Sequence, residues 1–174
     1  MREKILHILP SLRRFSFALT GNQHDADDLL QSTVERLLKN NSPNDVDLKR
    51  WAFRVCRNHW IDEIRKRKIR VADNIDDISY SASGSDGEKV ALSRITLEQI
   101  NQAMNLLPEN QRSTLSMVSA GGLTYAEVSE ALDIPIGTVM SRVSRARKTL
   151  IQQFSATVAD FSASNIAGTH HELH

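Results

Sequence analysis

The stretch Leu123 to Leu150, LTYAEVSEALDIPIGTVMSRVSRARKTL, constrains the fold more than any other part of the chain. It opens on Thr124-Tyr-Ala-Glu127, a capping box in which a hydroxyl satisfies one free N–H and a carboxylate reaches back to another. Val128, Ala131 and Leu132 then share one face at helical spacing. Asp133-Ile-Pro135 makes a tight turn, and a second helix begins near Gly137 or Thr138. In that helix Val139, Val143, Ala146 and Leu150 fall on one side, while Thr138, Ser141, Arg142 and Arg145 fall on the other. No acidic side chain between Asp133 and Asp160 offsets Arg142, Arg145, Arg147 and Lys148. Such a helix fits a major groove: its first turns donate to base edges and the remaining cations, Lys148 among them, neutralise phosphates. A solvated basic helix in an ordinary bundle would need neither the capping box nor the turn chemistry.

Few aromatics (5%), seven glycines and four prolines point to an all-α protein of 174 residues, long enough for one domain or two small ones. The net charge is only +1, so attraction to nucleic acid has to come from segregated charge. No apolar run approaches the roughly 20 residues that span a bilayer, and MREKILHILP lacks a signal-peptide core, so a cytosolic location is expected. The single Cys56 rules out an internal disulfide and lies on an apolar helix face, as an inert buried thiol would.

From the start of the chain, Ile5, Leu6, Leu9, Leu12, Phe15 and Leu19 recur at helical spacing, with Pro10 expected to start or kink the helix. Thr20-Gly21-Asn22 is a break. DADDLLQSTVERLL, Asp25 to Leu38, predicts a helix whose acidic first turn suits the dipole and whose outer face carries Asp28, Gln31, Ser32 and Glu35. That face is either simply solvated or a docking surface for a protein. The polar loop Asn40 to Asp47 follows. A longer helix from Leu48 to Arg70 then has a core stripe of Phe53, Cys56, Trp60 and Ile64, with Trp51 and Val55 beside it. Its other side presents Arg50, Arg54, Arg57, Asn58 and Arg65, ending in the basic run to Lys68. Such a side can track a backbone strand while Asn58 offers donor and acceptor to a base.

Residues 71–89 are rich in Asp, Ser and Gly without periodicity, which predicts a flexible acidic linker between two domains, 1–70 and 90–154. Helices over Val90 to Leu107 and Glu109 to Ala120, separated by Pro108, support the helix-turn-helix. Residues 155–174 are expected to be a disordered tail. Its His170, His171 and His174 lack the spacing of a known zinc motif, so no metal or other cofactor is expected.

These segments together resemble bacterial RNA polymerase sigma factors of the extracytoplasmic-function type, within the sigma-70 family. DADDLLQSTVERLL resembles the region 2.1 to 2.2 helices that contact the polymerase clamp, which implies core docking through Asp25, Asp28, Leu29, Gln31, Ser32 and Glu35. Trp51, Phe53, Arg54, Arg57, Asn58, Asp62 and Arg65 to Lys68 match the region 2.3 and 2.4 pattern, which implies −10 melting with a base held by Asn58 and the loop Asn40 to Asp47. LPENQR, Leu107 to Arg112, resembles the start of region 4 and GTVMSRVSRARKTL its recognition helix. The family pattern turns Met140, Ser141, Ser144 and Arg145 toward the −35 groove; geometry ranks Thr138, Ser141, Arg142 and Arg145, and both sets contain Ser141 and Arg145. Met140 stands where Lys or Arg is common, Ser32 where an acid is common, and Asp133 where Gly is usual.

The resemblance implies a protein that binds core RNA polymerase and directs initiation at promoters in a stress or environmental response, restrained by an anti-sigma factor. Two other classes fit parts of the chain. A stand-alone helix-turn-helix regulator would use only its second half. A metal-dependent nuclease would need Asp25, Asp27 and Asp28, which a helix N-terminus already explains. No nucleophile–base pair or Gly-rich phosphate loop is present, so no catalysis is expected.

Overall fold

In the computed structural model, backbone is described for residues 2–39, 47–73 and 88–167, and side chains for 2–39, 47–70 and 97–154. Seven helices make up these residues: α1 (Arg2–Thr20), α2 (Gln23–Lys39), α3 (Leu48–Asp73), α4 (Glu88–Asn105), α5 (Glu109–Ser119), α6 (Tyr125–Leu132) and α7 (Ile136–Ala167). The all-α expectation holds. Residues 40–46, most of the predicted linker, and the tail histidines lie outside the described residues.

Helices α1, α2 and α3 pack on one another through Leu12, Phe15, Leu19, Ala26, Leu37, Phe53, Cys56 and Trp60, all buried. The Phe15 and Phe53 rings sit 4.9 Å apart at 37°, a tilted aromatic pair. Pro10 neither starts nor breaks α1, which runs through it. Ile5 and Ile8 before it, and Leu12 after it, are buried on the same core, so tertiary packing carries the helix past the missing N–H. The buried stripe therefore uses Ile8 rather than Leu9, and Leu6 is 65% exposed.

Gly21, at φ +79°, ends α1, and Asn22 starts α2. The Asn22 side chain accepts from the Asp25 amide at 2.8 Å and donates to the Asp25 carboxylate at 3.0 Å. Asp47 caps α3 in the same way, accepting from the amides of Lys49 and Arg50 at 2.8 and 3.2 Å.

In the second half, α7 is the axis against which α4, α5 and α6 pack. It extends past the boundary expected at residue 154, as far as Ala167; Ser155 to Ala167 contains no Gly or Pro to stop it. The two halves also touch. Contacts of α1 and α3 with α5 and of α3 with α6 merge the two cores into one cluster from Ile5 to Ala146.

Candidate nucleic-acid interface

The reading element forms as its sequence requires. Thr124 Oγ1 accepts from the Glu127 amide at 3.2 Å and Glu127 Oε2 accepts from the Thr124 amide at 2.7 Å, the reciprocal capping box. Its own bond to the Thr124 backbone is the main reason the Glu127 carboxyl titrates below the usual range. Asp133 takes the left-handed conformation, φ 53° and ψ 52°, where glycine is usual. Across the turn Ile134 N donates to Ser129 O at 3.1 Å and the Ser129 hydroxyl returns a bond to Ile134 O at 2.5 Å.

Helix α7 then starts from Pro135, whose carbonyl accepts from Thr138 and Val139 at 2.8 and 3.2 Å. Val139, Val143 and Ala146 are fully buried, which fixes the roll of the helix. Met140 (54% exposed), Ser144, Arg145 and Lys148 face outward, while Thr138, Ser141 and Arg142 are half-buried at the edge. The Ser141 hydroxyl donates to Thr138 O at 3.0 Å, so its lone pairs are what it offers a ligand. Beside this face Tyr125, Met140, Val143 and Ile151 line a shallow groove of about 460 Å³, rimmed by Arg147 and Lys148.

On α3 the predicted basic face divides in two. Arg54, Asn58 and Arg65 are exposed. Arg50 and Arg57 are turned into contacts with the second half of the chain. Arg50 forms an ion pair with Glu130, and Arg57 donates to the Ser113 hydroxyl at 3.1 Å and to Asn110 Oδ1 at 3.0 Å. Burial, helped by the nearby charge of Arg142, lowers the pKa of Arg57. Trp60 is in the core, with the Arg112 guanidinium 5.7 Å from its ring centroid, and Trp51 is half-buried against it. Cys56 is completely buried against Ser16, and that burial pushes its thiol up to about 11, the inert state expected.

A model of the family "Sigma-70, region 4" matches residues 97–150, and one of the "Sigma2 domain of PhyR" matches residues 5–57. The ECF RNA polymerase sigma factor EcfG of Rhodopseudomonas palustris is 34% identical over 152 residues, covering 86% of this chain and 82% of that protein. The chain belongs to the ECF sigma-factor family. The sigma factor SigW of Bacillus subtilis is 31% identical over 79% of each chain. The sigma factor RpoE of Bartonella quintana, solved with the anti-sigma factor NepR, superposes with a TM-score of 0.72 at 29% identity, covering 88% of this chain and 96% of that one.

In this sigma factor the candidate polymerase face on α2 is mostly open. Asp28, Gln31 and Glu35 are exposed and Ser32 is half-buried. Gln31 donates to Glu35 at 3.2 Å, and His24 lies 3.3 Å from Asp28. Leu29 differs: at 5% exposure it belongs to the core rather than to the docking surface. The period-3.6 stripe that carries Ala26 and Thr33 inward carries Leu29 with them. Asp25 is held by Arg67 of α3 at 3.1 Å, which with the Asn22 bond keeps its carboxyl below the ordinary 3.8 against the opposing effect of burial.

Sequence reasoning missed the residues that join the halves: Lys49, Lys68, Glu109, Asn110, Ser113 and Glu130. Each is an ordinary polar surface residue in a local window, and nothing in its spacing marks a partner 41 to 80 positions away. Among the described residues no helix is long and apolar enough to cross a membrane.

Proposed function

We propose that this sigma factor binds core RNA polymerase through the outer face of α2, reads the −35 element with α7 and melts the −10 element with α3. The observation that carries this reading is the fixed roll of α7. Burial of Val139, Val143 and Ala146 leaves Met140, Ser144, Arg145 and Lys148 on one outward face with Thr138, Ser141 and Arg142 at its edge. Arg145 and Ser141 read base edges there, while Arg142 and Lys148 hold phosphates. On α3, Asn58 captures an unstacked base beside the phosphate-binding cations Arg50, Arg54, Arg57 and Arg65. Unstacking costs a few kcal/mol, so capture must offset it.

The chain divides at 1–70 and 90–154 around the linker 71–89, and 155–174 forms an appendage. The sigma factor works in the cytoplasm, needs no cofactor, metal or catalysis of its own, and serves a stress or environmental response. The Bartonella relative is bound to the anti-sigma factor NepR, and a partner of that kind restrains this chain.

The test compares Asn58→Ala with the parent in polymerase-dependent transcription, on duplex promoter DNA and on the same DNA melted in advance at −10. A larger loss on the duplex supports base capture. Equal losses on both templates contradict it.

A further inference from the structure

Among the cations and hydroxyls that face outward from α7, Met140 stands apart. It is the fifth residue of the helix and 54% exposed, and the core closes without it, because Val139, Val143 and Ala146 carry the packing of α7. An exposed methionine leaves apolar surface in water and has no hydrogen to donate in return. Ser144 lies one turn further along the same face and is also exposed. Helical side chains lean toward the N-terminus, so a bulky residue at 144 would cover Met140, whereas the short serine leaves its flank open. The surface beside Met140 stays apolar through Tyr125, Val143 and Ile151. Charge for phosphates is already supplied by Arg142, Arg145, Arg147 and Lys148, with no acid between Asp133 and Asp160.

In a major groove such a side chain has one good partner. Guanine, adenine and cytosine present donors and acceptors there, and thymine alone adds a methyl group. Against any other base edge the thioether would take a polar group out of water and return no hydrogen bond, which is unfavourable. Against the thymine methyl it buries apolar surface on both sides, and its unbranched, polarisable chain adjusts to the contact. Met140 is also in the part of the helix that reaches bases, since recognition helices read with their first turns. Arg145 lies five residues on, about 7.5 Å along the axis. Helical residues three to four positions apart read successive bases, so Met140 and Arg145 meet positions about one to two base pairs apart.

We infer that Met140 is a specificity-determining residue, selecting a thymine of the −35 element through its 5-methyl group. Arg145 reads polar base edges, and Met140 adds an apolar requirement next to them. This rests on the placement of α7 in the −35 major groove given above.

Holoenzyme assembled from the full chain and bacterial core RNA polymerase tests this. Selection from a promoter library randomised at −35 gives the preferred element. Each thymine in it, on either strand, is then replaced singly by deoxyuridine, which removes only the methyl group, and competitive promoter binding is measured. Burial of one methyl contributes roughly a factor of four, so the parent should lose about threefold to fivefold at one thymine. That thymine should lie about one to two base pairs from the position where Arg145→Ala relaxes preference. Met140→Ala, at an exposed position, should melt like the parent and bind thymine and deoxyuridine DNA equally at that site. Met140→Lys should lose the thymine preference. Ile151→Ala, about three turns along on the same apolar surface, should respond to deoxyuridine as the parent does. A −35 element with no methyl-sensitive thymine overturns the assignment, as does an equal deoxyuridine response in the parent and Met140→Ala. Loss of the response in Ile151→Ala also overturns it and marks the apolar surface as a protein contact. Failure of the underlying placement looks different: Arg145→Ala and Lys148→Ala would then leave −35 preference unchanged, whereas failure of Met140 alone leaves Arg145→Ala effective beside a flat deoxyuridine scan.

Discussion

A methyl group on Gly121 would stand 2.3 Å from Cε1 of Phe53 and 2.6 Å from the Met117 carbonyl oxygen. Phe53 sits in the core of the first half and Gly121 in the turn between α5 and α6 of the second, so this contact joins the two. Gly121→Ala should destabilise the chain by about 1–3 kcal/mol, the usual cost of overpacking against a rigid ring. Gly122 is the internal comparison. It has open space around it and φ +67°, so Gly122→Ala costs only the left-handed backbone penalty, about 1–2 kcal/mol. Urea denaturation of both variants checks this, and only Gly121→Ala should also loosen contacts between the domains.

Asp133 holds the turn of the reading element in a conformation that glycine adopts without strain. Asp133→Gly should therefore raise stability slightly, while a β-branched Asp133→Val should lower it by about 1–2 kcal/mol. Thermal melts of the pair read the difference. A variant order with Val at or above Gly would mean the turn relaxes out of the left-handed region.

The capping box makes a parallel prediction. Thr124→Ala removes the acceptor for the Glu127 amide and should cost about 1 kcal/mol, whereas Thr124→Ser should cost much less. Denaturant midpoints measure both. DNA binding should weaken along with stability, because α6 supports the roll of α7.

Stability should fall in acid partly through Asp25. Its folded pKa lies below its ordinary value of 3.8, first because Arg67 bonds to the carboxylate. The ionised form is thus favoured by folding: the contribution is complete above 3.8 and is lost as pH drops through the lower folded value. Arg67→Ala should flatten that part of the stability–pH curve, lowering stability most above about pH 6, where the pair is fully ionised, and least at its acid end. An unaltered acid limb in Arg67→Ala would remove the pair from the account.

Helices and their inward faces were legible because periodicity is a local signal. The alternation of Val128, Ala131, Val139, Val143 and Ala146 with polar neighbours predicts both the helix-turn-helix and its buried side, and Thr124 to Glu127 predicts its cap. Pro10 does not start the helix, because its local cost is overridden by a core that Ile5, Ile8 and Leu12 share. Leu29 misled for the opposite reason: a family's docking segment contains residues that hold the helix as well as residues that touch the partner. The contacts of Arg50 with Glu130 and of Arg57 with Asn110 were invisible, since a lone cation on a solvated face looks the same whether or not a distant acid meets it.

Base readout gives a separable prediction. Arg145 is exposed on the outer face of α7, and Arg145→Ala should weaken recognition of the −35 element by about 1–3 kcal/mol if its guanidinium bonds a base edge in two places. The loss should concentrate at one promoter position. Lys148→Ala should instead weaken binding evenly across sequences and lessen its salt dependence. Promoter libraries transcribed with each variant would separate the two patterns.

The central claim is tested most directly by run-off transcription with purified bacterial core RNA polymerase, with and without this protein, on fragments that include the region upstream of its own gene. Discrete transcripts that require both components are the predicted result, and their start sites locate the −10 and −35 elements. Absence of such transcripts, together with tight specific DNA binding by the protein alone, would contradict the account and identify a conventional helix-turn-helix regulator.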